Sequence, residues 1–131
     1  ADNAFNYTVM GELGFSALAS LVDQAVEAAL AAIRPGARAC DVDAAARGVI
    51  ERAGYGPYFT HRTGHGIGTE VHEPPYMTGS NQQLLEEGMV FTVEPGIYLP
   101  GRFGIRLEEV AVVTADGARI LSSLSRALHR G

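Results

Sequence analysis

Apolar side chains at Leu13, Leu18, Leu21, Val22, Ala25, Ala29 and Ile33 recur at spacings of three and four, up to Pro35-Gly36. That period gathers them on one stripe of a helix, predicts a helix over 12–34, and requires a partner layer to bury the stripe. The proline-glycine pair ends it. A second helix is expected over 42–53, started by Cys40 or Asp41, with Asp43 favouring its first turn through the helix dipole and Gly54 closing it. A short connection makes the two an αα-hairpin. Helical periodicity is confined to this first stretch, and that division constrains the fold more than any other feature.

After Gly54 the signals are those of strands. Tyr55 to Thr60 is expected to be extended. MVFTVE (Met89–Glu94), bounded by Gly88 and Pro95-Gly96, reads as a strand, as does IRLEEVAVVT (Ile105–Thr114). Ala118–Leu121 follows a turn at Asp116-Gly117. Helices first and hairpin-linked strands later indicate an α+β fold with an antiparallel sheet flanked by helices. The 131 residues suit one domain with a real core. Its expected parts are a helical hairpin over 12–53, a strand-rich part over 55–121 and a loosely held tail over 122–131 (SSLSRALHRG). The chain opens on Ala-Asp-Asn rather than Met, so a piece of a longer domain is expected.

Composition removes several function classes. The formal net charge of −5 argues against nucleic acid as a partner, because phosphate binding needs clustered Lys and Arg. The apolar stretch Leu18 to Ile33 is interrupted by Asp23, Gln24 and Glu27, which argues against a membrane span, and ADNAFNYTVM lacks the pattern of a signal peptide. Cys40 is the one cysteine, so no internal disulfide is possible; a cytoplasmic setting is expected.

The chemistry concentrates in His61–Pro75, HRTGHGIGTEVHEPP, which holds three of the four histidines. HEPPY resembles the opening of the zinc-protease motif HExxH, but Tyr76 stands where the second histidine belongs, and Pro74-Pro75 cannot continue the helix which that motif needs. GHGIG lacks the spacing and the following Lys-Ser or Lys-Thr of a phosphate loop. What remains is a candidate metal site, since imidazole together with carboxylate suits Mn, Fe, Co or Zn. His65 lies between Gly64 and Gly66, where the missing side chains let a ligand or another backbone come close. Glu94 ends an apolar strand and is held extended by Pro95. Arg106 and Glu108 share one face of their strand by the period of two, and Glu109 points the other way. An exposed glutamate at a strand end and a surface Arg–Glu pair are the plain alternatives.

Taken in order, HRTGHGIGTEVHEPP, GMVFTVEPGIYLPG and GIRLEEVAVVTADG resemble the C-terminal half of the catalytic domain in the pita-bread (M24-type) metallopeptidases, over about residues 12–121. The Gly-Ile-Arg-Leu-Glu form of the last block resembles the Xaa-Pro dipeptidase (prolidase) and aminopeptidase P branch more than the methionine aminopeptidases. The resemblance implies a partial pita-bread fold, two divalent metal ions (Mn, Co or Zn) in the complete site, and short peptides with proline at the second position as substrates. A homo-oligomer is expected. By position, His65 and Glu94 would be metal ligands and Glu108 the carboxylate bridging the two metals. His72 would stand over the substrate, His61 would line the pocket, and Arg106 would hold the network beside Glu108.

The family's five-ligand site also uses two aspartates ahead of the long helix. Here the matching stretch is Asp2-Asn3-Ala4-Phe5-Asn6-Tyr7-Thr8, where the second aspartate position falls on Asn3 and Asp2 serves only with a one-residue shift. This chain by itself is therefore expected to bind at most one metal ion, weakly, and to be inactive alone. The alternatives are a non-catalytic binding module on the same fold and a methionine aminopeptidase-like enzyme.

Overall fold

A computed structural model describes residues 2–67 and 73–121, with side chains from residue 14 onward. Two helices, α1 (Asp2–Ala32) and α2 (Ala39–Arg52), precede seven short strands. The strands are β1 (Gly64–Gly66), β2 (Glu73–Met77), β3 (Val90–Val93), β4 (Gly96–Leu99), β5 (Phe103–Arg106), β6 (Glu109–Thr114) and β7 (Gly117–Ile120). Five of them form an antiparallel sheet in the order β2-β1-β3-β6-β7, and β4 and β5 pair separately as a hairpin. The α+β expectation holds.

The apolar stripe does what its period requires. Leu18, Val22, Ala25, Val26, Ala29 and Ile33 are buried against Val42, Ala46 and Ile50 of α2 and against Phe91, Val93, Ala111 and Val113 of the sheet. Complete burial of a side chain as large as Leu, Ile or Phe contributes about 1.5–3 kcal/mol, so this seam is a main source of stability. Gly14–Ala32 is long and apolar enough to cross a bilayer by length and composition, contrary to the sequence reading, but in this fold its apolar stripe is the core. Phe15 adds an edge-on contact to Phe103, ring centroids 5.3 Å apart, tying α1 to the β4–β5 hairpin.

The boundaries differ from expectation for local reasons. α1 begins at Asp2, well before Glu12, in a stretch that no proline interrupts; it ends at Ala32 because Pro35 disfavours helical backbone at Arg34. α2 begins at Ala39, where the Arg38 N–H donates to Asp41 Oδ2 at 2.9 Å. Tyr55–Thr60 is not wholly extended: Gly56–Tyr58 forms a single 3₁₀ turn with Pro57 near its start, a position that suits proline's fixed φ. The expected strand Ile105–Thr114 is two strands, because β5 pairs with β4 and β6 with β3, and Leu107-Glu108 is the break between them. The tail 122–131 lies outside the described residues.

The strands alternate as a pleated sheet must. Glu109, Ala111 and Val113 of β6 are buried, and Phe91 and Val93, opposite Ala111 and Glu109, share their face toward the helices. Thr92 belongs to the other face, and so do the residues that follow in step with it.

Candidate functional site

His65 sits in β1, threaded between β2 and β3. Its flanking glycines admit backbone rather than ligand. A Cβ on Gly64 would lie 1.7 Å from the Thr92 carbonyl oxygen, and one on Gly66 would lie 2.2 Å from the Pro74 oxygen. β2 carries Pro74-Pro75 in extended conformation, as the rejection of the helical zinc motif requires, and the bond between them is cis.

His65 is 8% exposed. Its Nδ1 lies 3.0 Å from the Gly66 carbonyl oxygen, which can only accept, so the proton sits on Nδ1. Nε2 is thereby turned toward Glu94, whose Oε2 is 3.6 Å away. The backbone fixes both partners: the His65 N–H donates to Thr92 Oγ1 at 3.1 Å, and the Glu94 N–H donates to the Thr63 carbonyl at 2.6 Å.

Glu94 and Glu108 both lie where the large sheet gives way to the hairpin. Val93 pairs with Glu109 on one side of the break and Gly96 with Arg106 on the other, while the Leu107 N–H donates to the Pro95 carbonyl. This pairing leaves Glu94 and Glu108 across from each other. Like charges directly opposed in an antiparallel pair repel, and a cation between them removes the repulsion. Glu108 is exposed and Glu109 buried, but Glu108 stands in the break between β5 and β6 rather than on the strand face the sequence assigned it.

The remaining predicted residues form a second cluster beside the first. His61 Nδ1 lies 2.7 Å from the Arg62 carbonyl oxygen and therefore carries the proton, so Nε2 accepts from the Tyr98 hydroxyl at 2.7 Å. Burial raises the Tyr98 pKa above its ordinary 10.0; the nearby Arg106 guanidinium works against the rise, and the Glu94 carboxylate adds to it. His61 and Tyr98 are thus hydrogen-bonded, with the Arg106 guanidinium and the Glu94 carboxylate near enough to act on the Tyr98 hydroxyl. Tyr98 was missed in the sequence, although a signal exists. It is cross-strand from Gly104, and a Cβ on Gly96 or Gly104 would lie 2.6 Å from its side chain, so the two glycines clear the ring's path. His72 lies outside the described residues, and so do the side chains of Asp2 and Asn3.

An ion pair that the sequence reading also missed anchors the histidine segment to α2. Asp43 is 2% exposed and lies past the first turn of α2, where Asp41 is the acidic residue, so the expected dipole role falls to Asp41. It receives Nε and Nη2 of Arg47 at 3.0 and 3.1 Å, together with the Thr63 hydroxyl at 2.8 Å. The same guanidinium donates to the carbonyls of Phe59 and His61 at 2.9 and 2.8 Å and stacks 4.0 Å over the Phe59 ring.

The fit to a metal ion can be judged from the donors. Two ligands about 2.0–2.2 Å from one ion stand roughly 3–3.5 Å apart at octahedral or tetrahedral angles, close to the His65–Glu94 separation. Nitrogen and carboxylate oxygen are the donors Mn, Co and Zn accept. His65 and Glu94 therefore fit one ion. Among the described residues no group of three His, Cys, Asp or Glu side chains closes around a common point.

A hairpin-fed antiparallel sheet, backed by two helices and presenting an imidazole beside a carboxylate, is the architecture of a pita-bread domain. The sequence matches metallopeptidase family M24 over residues 2–115, and the chain belongs to that family. It is 52% identical over 112 residues to a putative dipeptidase, YkvY, of Bacillus subtilis, covering 86% of this chain and 31% of that protein. It is 50% identical over 104 residues to the Xaa-Pro dipeptidase of Lactobacillus delbrueckii subsp. lactis, covering 79% and 28%. The fold superposes on X-Pro aminopeptidase from Thermotoga maritima with TM-score 0.85 at 46% identity, covering 87% of this chain and 32% of that one. Methionine aminopeptidase from Rickettsia prowazekii gives 0.69 at 28% identity, covering 82% and 52%. The chain thus spans about a third or less of the dipeptidases it matches.

Proposed function

We propose that this sequence supplies part of the catalytic centre of a metal-dependent peptidase that cleaves X-Pro bonds in short peptides, with Mn, Co or Zn as the metal. The observation that carries the reading is His65 Nε2 facing Glu94 Oε2 at 3.6 Å while the strand register sets Glu94 opposite Glu108. His65 and Glu94 would hold one ion and Glu108 would bridge to a second. When bound, such ions lower the pKa of a shared water and polarise the scissile carbonyl.

The chain's own groups would do the rest. The Nδ1–H···O=C bond of His65 fixes its ring so that Nε2 faces the ion. His61, Tyr98 and Arg106 would form one wall of the substrate pocket, with the Tyr98 hydroxyl donating to His61 and its proton held next to Glu94. His72 would donate a hydrogen bond to the developing oxyanion. The higher structural likeness to X-Pro aminopeptidase than to methionine aminopeptidase favours the proline-directed branch.

The test is hydrolysis of an X-Pro dipeptide by the full-length protein carrying this sequence, loaded with Mn²⁺ or Co²⁺. Cleavage that Glu108→Ala abolishes is expected; no cleavage by a well-folded, metal-loaded protein refutes the reading and leaves a non-catalytic binding module. The 131-residue chain alone is expected to bind a single ion weakly. Tight binding of two ions per chain in calorimetry would contradict that and point to a site completed by a second copy.

A further inference from the structure

We infer that Asp43 and Arg47 are positioning residues for the candidate metal site, an inference that rests on the metal-binding reading above. Neither side chain reaches His65 or Glu94. Between them, though, they hold three alternate residues of the segment leading into β1: Arg47 takes the carbonyls of Phe59 and His61, and Asp43 takes the hydroxyl and N–H of Thr63. Thr63 is the junction. Asp43 grips its hydroxyl at 2.8 Å and shares its N–H, at 3.3 Å, with the Met77 carbonyl of β2 at 3.0 Å, while the Thr63 carbonyl accepts the Glu94 N–H at 2.6 Å, and His65 follows two residues on. The position of α2 is thereby transmitted toward both candidate ligands through Thr63, alongside the hold that β2 has on it. Arg47 also fixes the backbone of His61, whose ring contacts Tyr98.

Folding alone does not require this arrangement. Asp43 is buried while the Arg47 side chain is 28% exposed, and an ion pair that buries a carboxylate is generally little more stabilising than apolar side chains of similar volume, because desolvation offsets the attraction. Apolar replacements, however, cannot address three backbone carbonyls and amides in one segment. The pair's distinctive product is therefore the placement of residues 59–65 rather than burial. The Arg fork matters as well: Nε and Nη2 meet the carboxylate while Nη1 and Nη2 meet the carbonyls, a geometry that a lysine ammonium cannot reproduce.

The test compares the wild-type chain with the Asp43→Leu/Arg47→Met double variant and with Arg47→Lys. Co²⁺ affinity is measured by calorimetry, and the His61 and His65 ring nitrogens by NMR without metal. Positioning predicts that the double variant weakens Co²⁺ binding by about 10-fold or more, as loss of outer-shell support does elsewhere, and disturbs both ring signals. Arg47→Lys should be intermediate. If the double variant does not fold, Arg47→Lys decides: a folded lysine variant with wild-type Co²⁺ affinity and unmoved ring signals overturns the inference. Folded variants that all keep wild-type affinity and ring signals do the same. A wild-type chain that binds no Co²⁺ while its ring signals still move in the variants refutes the metal reading instead.

Discussion

Gly64→Ala should be one of the most damaging single-methyl additions available in this fold. The new Cβ would stand 1.7 Å from the Thr92 carbonyl oxygen and 2.7 Å from its carbon, both backbone atoms that cannot rotate aside. A carbon–oxygen contact settles at roughly 3.3 Å or more, so β1 and β3 must part by more than about 1.5 Å. The separation stretches the bond from the His65 N–H to Thr92 Oγ1 and that from the Glu94 N–H to the Thr63 carbonyl. Each bond contributes about 1 kcal/mol net, and overpacking adds about 1–3 kcal/mol, for a loss of about 3–5 kcal/mol. Against the about 5–15 kcal/mol of an ordinary domain this is a large share, and it lowers the melting temperature by roughly 10–20 °C. Urea titration of the variant beside Gly36→Ala makes the comparison specific. Gly36 has φ +89° and no atom within 4 Å of a built Cβ, so its alanine variant suffers backbone strain alone, about 1–2 kcal/mol. Should Gly64→Ala fall within about 0.5 kcal/mol of wild type, β1 does not lie against Thr92 as described and the argument for His65 placement fails with it.

Two further outcomes follow from other parts of the structure. Glu108→Ala, at an exposed position, should leave the urea midpoint within about 0.5 kcal/mol of wild type, so any loss of hydrolysis in the full-length protein reflects the site and not unfolding. Tyr55 has its pKa raised above 10.0, first by burial and then by the neighbouring Tyr58. The stability carried by its neutral phenol is intact below about pH 10 and is lost as pH rises through the folded-state value; urea midpoints between about pH 8 and 11 should fall less steeply in Tyr55→Phe, and equal slopes would refute the assignment.

Much of this was legible in the residues, and the failures share a cause. The helical stripe from Leu18 to Ile33 and the β3 segment announced themselves because their burial is set by local period. The alternation of buried Glu109, Ala111 and Val113 along β6 followed from the strand period. The split of Ile105–Thr114 could not be read, because IRLEEVAVVT is locally uninterrupted and only the identity of each half's partner strand divides it. Tyr98 and the Asp43–Arg47 pair were missed for the same reason: their meaning depends on what lies across the fold, at His61 and Thr63. The glycines beside His65 were read as making room for a ligand or a backbone, and the fold resolves that in favour of the Thr92 and Pro74 backbones.

The break between the large sheet and the β4–β5 hairpin has a consequence for how such a domain can vary. Val93–Glu109 pairing locks the register on the sheet side, and Gly96–Arg106 pairing locks it at the base of the hairpin. The far end of the hairpin, around Pro100 and Gly101, touches neither lock. Residues can therefore be added or removed at that tip, reshaping whatever borders the opening, while the two opposed carboxylates stay in step. A single insertion between Glu94 and Gly96 has no such freedom, since it would slide one acid past the other.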